Sequence, residues 1–211
     1  MTSANATDAT DHPARADAEG PLVALARFDE RIYQALAAPL GPPFDRALSV
    51  LTNTADHSKI SLAMAAGFAL FGGSRGRRAA ATGLVSVALT SATANAIVKP
   101  LARRRRPARS EAHLAHPPAS SHHVPMPESH SFPSGHTAAA TAFATGVATV
   151  WPSAARGPAL VAVVVGYSRV HAGVHFPGDV VLGAVLGSAI ALAVGRVGRH
   201  VRAGEAATQS R

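Results

Sequence analysis

Five apolar runs, each without a charged residue, follow one another between Ile60 and Gly195: Ile60–Gly73, Ala79–Val98, Thr137–Trp151, Ala159–Tyr167 and Val180–Gly195. A helix needs about 17–25 apolar residues to cross a bilayer. Ala79–Val98 is about one membrane thickness, and the shorter runs must extend into flanking turns. Small residues recur in them, among them Gly183, Gly187 and Ser188, which lets helices approach closely. Only 15% of the chain is charged and 47% is hydrophobic, against roughly 25% charged in a soluble domain. The expected fold class is all-α: a polytopic membrane helix bundle with about five transmembrane helices plus N-terminal amphipathic helices.

The remaining segments fall around that series. Residues 1–21 are rich in Ala, Thr and Asp without periodicity, and read as a disordered tail rather than a signal peptide. Residues 22–58 read as amphipathic interfacial helices. Phe28, Ile32, Leu36 and Leu40 recur at steps of four, Gly41-Pro42-Pro43 ends the first helix, and Phe44, Leu48 and Leu51 start a second. Such helices can lie at the membrane surface or pack on the bundle. Residues 59–195 read as one domain built on the apolar runs, and 196–211 as a basic tail, expected to be cytoplasmic and unstructured. Pro107 to Phe132 reads as a polar loop over the site. It holds His113, His116, His122, His123 and His130, but no regular helix or cysteine backs them as a metal site. With no cysteine in the chain, disulfides and thiolate metal sites are excluded.

Successive runs alternate direction across a membrane. The second ends at Lys99, the third starts at His136, the fourth ends near Arg169 and the fifth starts near Asp179. All four ends therefore fall on one side. They bring together three motifs: K-P-L-A-R-R-R-R-P at Lys99–Pro107, P-S-G-H at Pro133–His136, and S-R-V-H-A-G-V-H-F-P-G-D at Ser168–Asp179.

That set suits phosphoryl transfer. Lys99, Arg106 and Arg169 can neutralise a phosphate dianion and the charge of its transition state. Ser134 and the backbone N–H of Gly135 can donate at a helix N-terminus, where anions are favoured. His175 can act as a neutral nucleophile, with Asp179 at i+4 fixing its other ring nitrogen. His136 can protonate the leaving oxygen. Arg103, Arg104 and Arg105 read as a solvated run facing head groups. His171 reads as a packing or supporting residue, and His57 and His200 as surface residues. The net charge of +8 invites nucleic acid as a partner, but no recognition motif accompanies it. Arginines at the ends of apolar runs suit anionic lipids and bound phosphate better.

The three motifs together resemble the signature of the type 2 phosphatidic acid phosphatases, relatives of the vanadium haloperoxidases: K-x6-R-P, P-S-G-H and S-R-x5-H-x3-D. Lys99 with Arg106-Pro107, Pro133–His136, and Ser168-Arg169, His175 and Asp179 match it in order, and the resemblance covers about Ile60 to Gly195. It implies a helical bundle and metal-independent dephosphorylation without a cofactor. It casts His175 as nucleophile, His136 as general acid and Asp179 as the partner of His175. Lys99, Arg106, Ser134, Gly135 and Arg169 would bind phosphate. The expected function is a multi-pass cell-membrane lipid phosphate phosphatase acting through a phosphohistidine. Its substrate would be a phosphatidic acid, phosphatidylglycerol phosphate or polyprenyl phosphate, with the active site facing away from the cytoplasm. The alternatives are a vanadate-dependent haloperoxidase and a non-catalytic lipid-binding or transport protein.

Overall fold

The computed structural model describes residues 20–54, 58–108 and 127–209. The N-terminal tail to residue 19, His57, and the histidines His113, His116, His122 and His123 lie outside the described residues. Among those described, all regular structure is helical. Two N-terminal helices, α1 (Pro21–Leu36) and α2 (Pro42–Thr54), precede α3 (Lys59–Phe71) and α4 (Gly73–Thr93). A π-helical turn, Ala94–Val98, joins α4 to the short α5 (Lys99–Ala102). Then come α6 (Gly135–Val150), a 3-10 turn at Pro152–Ala155, α7 (Arg156–His171) and α8 (Pro177–Gln209).

The apolar runs thus fold as helices, with α6 packed against α4, α7 and α8, and α3 against α4. The interior is built from small residues, such as Ala79, Ala80, Ala139, Ala142 and Ala191, around Phe143 and Val147. The large apolar side chains point outward, including Phe71, Leu101, Leu160, Val163, Val181 and Val185. Close approach explains that inversion. A Cβ on Gly183 would meet the Ser134 carbonyl oxygen, and one on Gly187 the Ala138 carbonyl oxygen. These two glycines, one turn apart, let α8 lie directly on the start of α6.

The expectation of about five spans is established only in part. Among the described residues two helices are long and apolar enough to cross a membrane, Gly73–Ala102 and Pro177–Gln209. Helices α3, α6 and α7 have 13, 16 and 16 residues. At 1.5 Å per residue they reach about 20–24 Å, short of a hydrocarbon core of about 30 Å. The segment from Arg196, expected to be unstructured, instead continues α8 to Gln209. Its Ala, Arg and Glu residues are strong helix formers extending a helix already nucleated.

Helix α1 uses a face that its apolar stripe does not reveal. Asp29, Tyr33 and Ala37, at steps of four, are buried, while Phe28, Leu36 and Leu40 are exposed. Tyr33 and Ala37 cluster with Val170, flanked by Phe176 and Val180. The helix therefore packs on the bundle and leaves its apolar stripe outward. Helix α2 packs on α7 and buries Thr52 completely.

Candidate active site

The ends of the apolar helices meet as alternation requires. The chain enters the site from α4 through the π-turn. In a regular helix the ring of Pro100 would press on the carbonyl of Ala96, and the wider turn there relieves it. Arg103 then takes a left-handed conformation, φ 46°, and ends the helix. From Arg103 to Ala108 there is no regular structure. Arg104 and Arg106 are half-buried while Arg103 and Arg105 are exposed. The side chains alternate as in an extended segment, and two of the four arginines turn inward.

Arg106 is held firmly. Its Nη1 donates to the Val174 carbonyl at 2.6 Å, its Nε to the Ser129 carbonyl at 2.9 Å, and its Nη2 to Ser129 Oγ at 3.2 Å. Nη1 also lies 3.3 Å from His175 Nε2. Burial pulls the Arg106 guanidinium below its ordinary pKa, and Asp179 partly offsets that. The Lys99 ammonium lies within Coulombic reach of Arg106 and Arg169, and a Cβ on Gly135 would stand 3.7 Å from Lys99 Nζ. Arg169 is buried, and its Nη1 donates to Thr52 Oγ1 at 3.4 Å. Thr52 in turn is 2.8 Å from Ser168 Oγ. Three cations from three segments thus surround one place beside the start of α6.

Ser134 precedes α6 and is fully buried. Its N–H donates to the Asp179 carbonyl at 3.0 Å, and its hydroxyl is 3.0 Å from Thr137 Oγ1. The second motif is thereby stitched to the third, and the first amides of α6, which have no partner within the helix, lie beside the cations. His136, the second residue of α6, lines a small cavity with Ser58, Ser61 and Met64 on one side and Val161 and Val165 of α7 on the other.

His175 sits in the short connection between α7 and α8, almost fully buried. Its Nδ1 is 3.5 Å from Asp179 Oδ2, a long contact, and its Nε2 faces Arg106. A guanidinium only donates, so Nε2 presents a lone pair and the ring proton belongs on Nδ1, toward the carboxylate. Burial pushes the imidazole pKa down to about 4. The nearby Asp179 carboxylate opposes that shift, and the charges of Arg106 and Arg169 reinforce it. The ring is therefore neutral near pH 7.

Asp179 is completely buried and fully engaged. Oδ2 accepts from the Phe176 N–H at 3.0 Å, and Oδ1 accepts from Arg104 Nη1 at 2.8 Å. The placement of Arg104 corrects the expectation of a solvated arginine run. Extended backbone puts every second side chain on the inner face, so Arg103 and Arg105 are exposed while Arg104 and Arg106 are half-buried. Alternation counted back from Arg106 could have found Arg104. Thr52 and Asp29, which bonds Arg104 at 2.6 Å, had no such signal, because each is a single residue in an amphipathic helix. His171 is confirmed as a packing residue. Its Nε2 is 3.0 Å from Asp45 Oδ1 and its Nδ1 3.3 Å from the Leu36 carbonyl. His200 is exposed, as expected.

Known proteins resemble this chain in sequence and in fold. A stretch of 104 residues, 48% of this chain, is 36% identical to a decaprenylphosphoryl-5-phosphoribose phosphatase of Mycobacterium tuberculosis, and spans 52% of that relative. The fold is similar to a transmembrane PAP2-type phosphatidylglycerolphosphate phosphatase from Bacillus subtilis, with TM-score 0.58 and 22% identity over 84% of this chain and 88% of that one. It is also similar to LpxE of Aquifex aeolicus, with TM-score 0.61 and 21% identity over 79% and 94%. The PAP2 superfamily model matches residues 79–201, a stretch that includes every motif residue of the site, and the chain belongs to that superfamily.

Proposed function

We propose that this protein is a metal-independent membrane phosphatase that hydrolyses a lipid phosphate through a phosphohistidine on His175. The observation that carries the proposal is the environment of that ring: a neutral, buried imidazole with Nδ1 toward a carboxylate and Nε2 toward a cluster of cations. Nε2 forms a bond to phosphorus as the bond to the lipid oxygen breaks, and His136 gives that oxygen its proton. Lys99, Arg106 and Arg169 hold the phosphoryl oxygens, with Ser134 and the Gly135 N–H at the start of α6. Asp179 keeps the proton on Nδ1 and stabilises the imidazolium that forms. Water, deprotonated by His136, then displaces Nε2 and releases inorganic phosphate. Three fixed cations perform the charge neutralisation a metal would otherwise supply.

Two features favour a lipid substrate and a multi-pass place in the cell membrane. Large apolar side chains face outward over small ones, as in helices surrounded by lipid. An apolar groove of about 870 Å³ runs between α6, α7 and α8. It starts at Thr137, Gly166 and Val180, each within a turn of a motif residue, and continues to Ala148, Ala159 and Leu192. A polyprenyl phosphate is the class we favour, on the name of the mycobacterial relative. The active site is read as facing away from the cytoplasm, at the far end of α4 from Arg75, Arg77 and Arg78.

The test is phosphate release from a polyprenyl phosphate and from phosphatidic acid by detergent-purified protein. Turnover in the presence of a chelator, inhibited by vanadate, with an acid-labile label trapped on His175, is expected. Turnover that needs a divalent ion, or a label that survives acid, would overturn the mechanism.

A further inference from the structure

Asp29 lies outside every motif and Arg104 at an unspecified position within the first, yet together they complete the surroundings of the dyad. Arg104 spans two carboxylates with one planar fork, Nη1 to Asp179 Oδ1 at 2.8 Å and Nη2 to Asp29 Oδ2 at 2.6 Å. Its guanidinium carbon stands 4.3 Å from the centre of the Phe176 ring, and that ring meets Tyr33 edge-on at 5.6 Å. Asp29 Oδ1 also accepts the Gly178 N–H at 2.8 Å, one residue before Asp179. Helix α1 therefore grips the start of α8 at two points, one through Arg104 and one through backbone.

We propose that Arg104 and Asp29 are positioning residues for catalysis: Arg104 occupies one oxygen of Asp179 so that the other is aimed at His175, and Asp29 fixes Arg104. The proposal rests on the reading of His175 and Asp179 as the reacting dyad. A carboxylate with both oxygens unrestrained can rotate about its terminal torsion, which is soft. With Oδ1 bound to Arg104 and Oδ2 to the Phe176 N–H, that rotation is blocked. A lysine could supply the charge but not two bonds in fixed directions. Asp29 balances the charge that Arg104 brings, so Asp179 keeps its share of negative charge for His175. The charged groups facing this chain are few: Arg106, Arg169 and Asp179 toward His175, Arg104 toward Asp179, and Asp29 toward Arg104.

The experiment uses the full chain in detergent, with Arg104→Gln, Arg104→Lys, Asp29→Asn and the double variant Asp29→Asn with Arg104→Gln. Two readouts are needed: kcat and KM on a phosphate ester, and the proton titration of the His175 ring by NMR. Asparagine still accepts the Gly178 N–H, so Asp29→Asn removes charge while keeping that backbone contact. Arg104→Gln is expected to lower kcat by roughly 10- to 100-fold with KM little changed, the scale of a misplaced supporting group. It should also move the His175 titration to higher pH, because a cation has left the dyad. Arg104→Lys should return the titration toward wild type while recovering kcat only in part. Asp29→Asn should move the titration the opposite way, to lower pH. The double variant should be no slower than Arg104→Gln alone, since Asp29 works through Arg104.

A wild-type kcat and titration in folded Arg104→Gln would overturn the proposal, as would losses that multiply in the double variant. If the wild-type protein releases no phosphate, the proposed function fails. The His175 titration still decides whether Arg104 and Asp29 tune the dyad.

Discussion

Two buried histidines stand four residues apart, each beside a carboxylate, and they are built for different work. His171 faces Asp45 at 3.0 Å and the Leu36 carbonyl at 3.3 Å. Both of its nitrogens meet acceptors, and its ring stacks on Tyr167 at 5.8 Å. It ties α7 to the end of α1 and the start of α2. His175 has an acceptor on one side only. Its other nitrogen meets Arg106, which has no lone pair to offer. A histidine–carboxylate pair alone is therefore ambiguous. The group facing the second nitrogen separates a clamp from a nucleophile, because only an unprotonated nitrogen aimed at a cation-lined space can attack phosphorus.

The comparison predicts its largest difference in turnover. His175→Ala should abolish phosphate release on every substrate, a loss of at least roughly 10⁴-fold in kcat. His171→Gln should keep kcat within a few-fold. Comparable losses in both variants, measured per folded molecule, would erase the distinction. A smaller and substrate-dependent loss is expected for His136→Ala, about 10²–10⁴-fold on a lipid phosphate. On nitrophenyl phosphate, whose leaving group hardly needs a proton, the loss should be far less. Equal losses on the two substrates would falsify the acid role.

Acidification sharpens the comparison further. His175 has a pKa of about 4 when folded, against about 6.5 unfolded. The unfolded chain therefore binds the extra proton first. Stability conferred by the neutral ring is present above about pH 6.5 and is lost as pH falls toward 4, by up to about 1.4 kcal/mol per pH unit. Thermal unfolding in detergent across that range should show the slope in the wild type and lose it in His175→Ala. An unchanged slope in that variant would assign the effect to another group. The smallest effect expected is on the clamp. Asp45→Asn should cost about 1 kcal/mol of stability and leave kcat unchanged, as equilibrium unfolding and turnover of the same preparation would reveal.

The meeting of the motif ends was legible from the alternation of apolar runs alone, because direction reverses from one packed helix to the next. The inward turn of Arg104 was legible in principle from its offset of two from Arg106. Asp29 and Thr52 were not. Their partners lie 149 and 116 residues away, and nothing in local spacing marks a single polar residue on an amphipathic helix as a bundle contact. The apolar stripe of α1 even pointed to the wrong packing face, since the larger side chains stay outside. The number of spans was the least legible feature. A 16-residue apolar helix packs equally well in a thin bilayer-facing layer or a protein interior, and its composition is the same in both.

The long reach of α1 and α2 has a consequence for the order in which the molecule becomes competent during its own synthesis. These helices leave the ribosome before the bundle they pack on, yet Gly178 and Ser168, which they must meet, follow 149 and 116 residues after Asp29 and Thr52. Every intermediate length of nascent chain lacks a complete site. Closing contacts across 149 residues costs loop entropy that only a nearly finished bundle can repay. The imidazole proposed to react, set among clustered cations, is thus assembled last, when the helices that enclose it are already in place.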